Sequence, residues 1–307
     1  MRPFGRKLFV IAAGPALLAI AACASVRAGS PVRFHGMSEK RIALALAVIH
    51  REHQDLAGRI AAVSEAFLGT PYKLGPLGEG EGAEFDRDPL YSFEQADCTT
   101  FVEQVMALSL EPDLRKALDV TLQRVRYKGG AVGYGTRNHF TSIDWVPENI
   151  RAGFLEDITE RVGGGKAKVA VKTISKRDWY EAKTSSDIQG FPGLAPAELE
   201  AKVARLRSLG RDLPDEEARV PFIPLEDLAA VLPAIPSGTI ANIVREPRPD
   251  KPVTITHQAL IIEVDGRKVL RHAAYGRQVE DVPVLEYFSR LSTSTWRVVG
   301  IGCLALY

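Results

Sequence analysis

The feature that most constrains how this chain folds is Val253-Thr254-Ile255-Thr256-His257-Gln258-Ala259-Leu260-Ile261-Ile262-Glu263-Val264-Asp265-Gly266-Arg267-Lys268-Val269-Leu270-Arg271-His272-Ala273-Ala274. Two β-rich runs flank Asp265-Gly266, a pair that adopts the positive φ angles a two-residue hairpin turn needs. A two-residue turn sets Val264 opposite Arg267, Glu263 opposite Lys268, Ile262 opposite Val269 and Ile261 opposite Leu270. These are favourable charge and apolar pairs, so the register is self-consistent. It also sets His272 opposite Ala259, one diagonal step from His257 on the same face. Diagonal neighbours lie about 7–8 Å apart at the backbone, within reach of two facing imidazoles. A three-residue turn would send the two rings to opposite faces. On a shared face, one histidine can take a proton from a nucleophile while the other fixes its tautomer and orientation.

A nucleophile is available in Ala96-Asp97-Cys98-Thr99-Thr100-Phe101-Val102-Glu103-Gln104-Val105-Met106-Ala107-Leu108. Phe101, Val102, Val105 and Leu108 recur at the spacing of one buried helical face. Asp97 is an N-cap, and Thr100 with Glu103 is a second capping option one turn later. Either start leaves Cys98 in the first turn, where free N–H groups and the helix dipole favour a thiolate. Cys98, His257 and His272 together supply a nucleophile, a base and an orienting group.

Other segments set the frame. Arg2, Arg6 and Lys7 precede an apolar run from Leu8 to Ala22, the layout of a secretory signal at 1–22. Leu18-Ala19-Ile20-Ala21-Ala22-Cys23 looks like a bacterial lipobox, making Cys23 the expected lipidation site, with 23–37 as a tether. Ala24 after the cysteine favours the outer membrane over the inner as the anchored surface, facing the periplasm. Of three cysteines, Cys98 and Cys303 remain, and Cys303 lies in the apolar run 298–306, where a buried thiol is expected. No Cys-x-x-Cys or His-x-x-x-His pair suggests a metal. A net charge of +1, from 39 basic and 38 acidic residues, gives no sign of a nucleic-acid partner.

The rest, 38–307, reads as a single catalytic domain. A helical pattern runs from Ser38 to about Leu68 and stops at Gly69, and Lys168 to Ile174 alternates like a strand. The charged amphipathic helix around 196–209 reads as the centre of an exposed insertion at about 183–218. Tyr72 follows Gly69-Thr70-Pro71 in a Gly- and Pro-rich loop leading to the cysteine helix, open between a packing aromatic and a substrate-facing phenol. His139, in Arg137-Asn138-His139-Phe140, is open between a base, a substrate-binding donor and a buried core histidine.

Three segments together resemble the NlpC-type papain-like cell-wall hydrolases. They are Gly69-Thr70-Pro71-Tyr72, Asp97-Cys98-Thr99-Thr100-Phe101-Val102-Glu103, and a strand histidine followed by a His-Ala dipeptide. Within that superfamily the chain is more similar to the N-acetylmuramoyl-L-alanine amidase-like branch, formerly a domain of unknown function. Arg137-Asn138-His139-Phe140 and Asp144-Trp145 match that branch's second motif. The resemblance implies an α+β papain-like cysteine hydrolase fold, its nucleophile at a helix N-terminus packed on a central antiparallel sheet that carries the histidines. It implies that Cys98 attacks an amide carbonyl, His257 is the base and His272 orients it, without metal or cofactor. Tyr72, Asp97, Arg137 and His139 would contact substrate, a peptidoglycan fragment cut at the muramoyl–L-alanine amide. The wider superfamily implies a γ-D-glutamyl–diamino-acid bond instead. A non-catalytic cell-wall-binding lipoprotein and a metalloamidase using His139, His257 and His272 are the rival classes. Gln258-Ala259, Ser237-Gly238-Thr239 and Ala274 depart from the branch's usual residues, though none removes a catalytic atom.

Overall fold

In a computed structural model, which describes residues 32–307, Asp265 and Gly266 take φ angles of 48° and 72° and close the hairpin in two residues. Strand β5 (Ile255–Val264) then pairs with β6 (Arg267–Ala273) in the register the sequence dictates, from Val264–Arg267 to Leu260–Arg271. Residues 1–22, expected to be a secretory signal, and Cys23 lie outside the described residues.

The hairpin belongs to an antiparallel sheet of eight strands in an α+β fold. The remaining strands are β1 (Leu155–Asp157), β2 (Lys168–Ser175), β3 (Asp215–Pro224), β4 (Thr239–Arg245), β7 (Val279–Pro283) and β8 (Val298–Leu306). Their order is β2-β3-β8-β4-β5-β6-β7, with β1 on β8. Alternation along β5 sends Leu260 and Ile262 to one apolar layer and Ala259 and Ile261 to the other. The first layer carries α1 (Glu39–Glu52), α2 (Leu56–Ala66) and α3 (Cys98–Leu110). The second is covered by the helices Leu225–Val231 and Val284–Arg290. Cys303 is fully buried in that second layer, as its apolar strand requires.

Helix α3 is buried from Thr100 to Ser109, nearly all round, as a helix at the centre of a fold must be. Burying each large apolar side chain contributes about 1.5–3 kcal/mol, which makes α3 a rigid mount for whatever its first turn carries.

Three expectations change. The helical pattern 38–68 is two helices, parted at His53 to Asp55 where Asp55 caps α2. Phe34 is fully buried and packs edge-on against Phe67 and Phe93, so the end of the supposed tether is part of the core. The region 183–218 is only partly exposed. Its helix Pro196–Ser208 buries Val203 and Leu206 against Phe85, Tyr134, Tyr180 and Ile188, and its last residues already belong to β3.

Candidate active site

Cys98 is the first residue of α3. Asp97 caps the helix with its side chain, accepting from the Thr100 N–H at 2.8 Å, while the Thr100 hydroxyl oxygen accepts from the Asp97 N–H at 2.9 Å. The other carboxylate oxygen of Asp97 accepts from Gly75 N at 3.0 Å and ties the Gly/Pro-rich loop to the helix start. Both oxygens of Asp97 are thus engaged within the protein. Tyr72 in that loop bridges to Ala96, and burial, followed by the nearby Cys98 and Asp97, raises the pKa of its phenol.

The β5–β6 ladder stops at Leu260–Arg271, short of His257, and beyond that point the Gln258 N–H comes near enough to the half-buried Cys98 to act on its thiol. The side chain of Gln258 turns to the opposite layer from His257 and donates to Asn242 at 3.0 Å. Burial pushes the Cys98 thiol up to about 11, and the Asp97 carboxylate adds to this, while the N–H groups of Gln258 and Thr99 and the Thr99 hydroxyl pull the other way. Desolvation and an adjacent carboxylate thus act against the lowering that a helix N-terminus favours. The resting thiol is neutral.

Across the hairpin, His257 Nε2 and His272 Nδ1 are 2.9 Å apart, with ring planes at 88°. Burial holds His257 down at about 3, reinforced by His272 and Arg245. Burial and Arg277 hold His272 at about 4, against a smaller upward pull from Asp281. Both rings are neutral at pH 7, and one N–H joins them. His272 Nε2 is buried with no protein partner among the described residues.

Two residues at the site escaped the sequence reading. Tyr287 stacks on His257 at 6.2 Å and meets His272 edge-on at 5.1 Å. In sequence it sits in Leu285-Glu286-Tyr287-Phe288, which carries only the signature of a packed helix. Arg245 donates from Nε to Thr256, the residue before His257, at 3.0 Å. Only knowledge of the β4–β5 register could have placed it there.

Arg137 and His139 are not brought to this site. Arg137 is held by Glu79 at 2.7 Å and by Asp86 at 2.8 Å. His139 Nε2 donates to the Tyr134 carbonyl at 2.8 Å, and its ring lies 4.6 Å from Tyr134 and 4.7 Å from Trp179. Burial keeps its pKa far below the usual imidazole value. Their polar groups are satisfied within the protein. Among the described residues no three His, Cys, Asp or Glu side chains gather as metal ligands, and His139 is not grouped with His257 and His272. Glu103 is not a cap either: buried in α3, it pairs with Arg126 at 3.2 Å and accepts from Trp145 Nε1 at 3.0 Å. That contact joins the cysteine segment to the Asp144-Trp145 segment.

A family model described as N-acetylmuramoyl-L-alanine amidase-like (AmiA-like) matches residues 62–294, and the chain belongs to that family. Among solved structures it is similar to protein LPG0564 from Legionella pneumophila, of the DUF1460 family. The two share 30% identity over 87% of this chain and 95% of that one, with a TM-score of 0.79. It also shares its fold with an N-acetylmuramoyl-L-alanine amidase from Bacteroides uniformis, at 24% identity over 82% of this chain and 98% of that one, with a TM-score of 0.61. None of the curated proteins matches this chain in sequence.

Proposed function

We propose that the protein is a papain-like cysteine amidase acting on peptidoglycan fragments, cutting the amide between N-acetylmuramic acid and L-alanine. The observation that carries this reading is the 2.9 Å His257–His272 pair, with the residue after His257 on its strand, Gln258, lying near the Cys98 thiol. Family membership supports the choice of an amide substrate.

In this mechanism His257 donates its Nε2 proton to the hydrogen bond with His272, which leaves Nδ1 unprotonated to act as base. Because the resting thiol is neutral, its proton passes to His257 as the sulfur attacks the lactyl carbonyl carbon. The oxyanion that forms takes hydrogen bonds from the Cys98 N–H and the Tyr72 phenol. The tetrahedral intermediate collapses as His257 returns the proton to the leaving nitrogen, releasing a peptide with a free L-alanine amine. His257 then takes a proton from water, which attacks the thioester, freeing the muramic acid carboxylate and the thiol.

The test is incubation of soluble disaccharide-peptides with the protein, followed by mass spectrometry. Free stem peptide together with free disaccharide supports this reading, whereas release of terminal stem residues moves the activity to a γ-D-glutamyl endopeptidase. No cleavage of either kind favours a cell-wall-binding protein.

We also infer that Cys23 is lipidated and holds the protein at the periplasmic face of the outer membrane, on the strength of Leu18–Cys23 and the charged, apolar run before it. Metabolic labelling with palmitate, present in the native protein and lost in Cys23→Ala, tests that.

A further inference from the structure

Arg245 brings a strong positive charge to the edge of the site. It ends β4, two residues beyond Ile243, which pairs with His257, so its side chain emerges on the same sheet face as the base. Three neutral oxygens hold it: Thr256 Oγ1 takes Nε at 3.0 Å, Ser294 Oγ takes Nη1 at 3.0 Å, and the Trp296 carbonyl also accepts from Nη1. The guanidinium lies 5.3 Å from the Trp296 ring centre. The neighbouring acid, Glu246, is turned to Arg297 at 3.6 Å. Among the described residues no carboxylate pairs with Arg245, and its Nη2 makes no hydrogen bond. The group is half-buried, close enough to His257 and Tyr287 for its charge to act on both.

A half-buried guanidinium with no counter-ion has lost part of its hydration, and an anion would offset that loss. An arginine standing free in bulk water is spared that loss. Arg245 is instead fixed by its three contacts, with one nitrogen left over and its charge beside the reacting groups.

We propose that Arg245 is a carboxylate receptor for the peptide part of the substrate, reading the α-carboxylate of the residue after L-alanine. This rests on the amidase reading for the identity of the substrate, and on the geometry around Arg245 for the carboxylate. A guanidinium held in place loses little freedom on binding an anion, and a charge-assisted hydrogen bond separates a carboxylate from its carboxamide by about 10- to 100-fold in affinity.

The test uses the full chain carrying Cys98→Ala, titrated by calorimetry with N-acetylmuramoyl-L-alanyl-D-glutamate and with the same compound amidated at its α-carboxyl. The acid is expected to bind about 10- to 100-fold more tightly than the amide. Adding Arg245→Gln is expected to erase that preference, and Arg245→Lys to retain part of it, with thermal melts confirming that each variant is folded. Equal binding of the two compounds with Arg245 present, an undiminished preference in Arg245→Gln, or no binding of either compound overturns the proposal. If Cys98→Ala discriminates while the unsubstituted protein cuts neither compound, the amidase reading fails and the receptor stands.

Discussion

His257 Nε2 and His272 Nδ1 face each other at 2.9 Å across neighbouring strands, and a single N–H serves both. The arrangement that leaves His257 a free Nδ1 has His257 as donor and His272 as acceptor. His272 then carries its own proton on the buried Nε2, which finds no protein partner among the described residues. In the proposed mechanism His272 thereby selects the tautomer of His257, without a contact to substrate.

Removing the base and removing the orienting ring should differ accordingly. His257→Ala is expected to lower kcat by about 10³-fold or more, and His272→Ala by a smaller factor, about 10²-fold. Steady-state kinetics on a muramoyl peptide checks this. An equal loss in both variants would mean that His272 does more than orient, and a loss of the same size in His139→Ala would reopen the choice of base.

The neutral resting thiol sets the pH dependence of alkylation. With Cys98 pushed up to about 11, its reaction with iodoacetamide is expected to be slow at pH 7 and to keep rising above pH 9. A plateau beginning near pH 6 would instead reveal a stored thiolate–imidazolium pair. Cys98→Ala supplies the background from the buried Cys303.

How much of this was legible in the sequence depended on how local each cause was. The hairpin register needs only Asp265-Gly266 and alternating side chains, so the meeting of His257 and His272 could be read directly. Asp97 and Cys98 were equally local, being one cap and one first turn. The thiol's pKa was not, because the burial around Cys98 comes from distant segments that converge on it. Arg137 and His139 matched a family pattern, but sequence could not show that Glu79, Asp86 and the Tyr134 carbonyl already occupy their polar groups. Phe34 looked like tether because one aromatic has no periodicity to announce its burial.

The buried imidazoles also couple stability to pH. An unfolded histidine titrates near 6.5, whereas His257 and His272 are held at about 3 and about 4 in the fold. Between these values the unfolded chain binds more protons, so stability rises with pH. Their contribution is complete above about pH 6.5 and is lost as the pH falls towards the folded values, at about 2–3 kcal/mol per ring by pH 4.5. Urea unfolding of the protein and of a His257→Gln, His272→Gln variant should show a steeper loss between pH 6.5 and 4.5 in the former. Parallel curves would contradict the burial of neutral rings.

Arg126 and Glu103 form a buried pair, and removing one partner leaves an uncompensated charge. Arg126→Met is expected to destabilise the fold by about 3–5 kcal/mol at pH 8. The Glu103 carboxyl is pushed up to about 7 by burial, and it rises further without Arg126, so protonation at pH 5 should relieve part of the loss. Denaturant melts at the two pH values check this; a loss independent of pH would show that packing, not charge, is what Arg126 supplies.

The most direct measurement is the mass of the enzyme after acid quench during turnover of a disaccharide-peptide, with peptide mapping of the segment that carries Cys98. The expected result is an adduct on Cys98 with the mass of the disaccharide's muramoyl acyl group, absent from Cys98→Ala, which should also release no peptide. An adduct heavier by the L-alanyl and glutamyl residues would keep the nucleophile but move the bond. Full turnover by Cys98→Ala would contradict the cysteine mechanism outright.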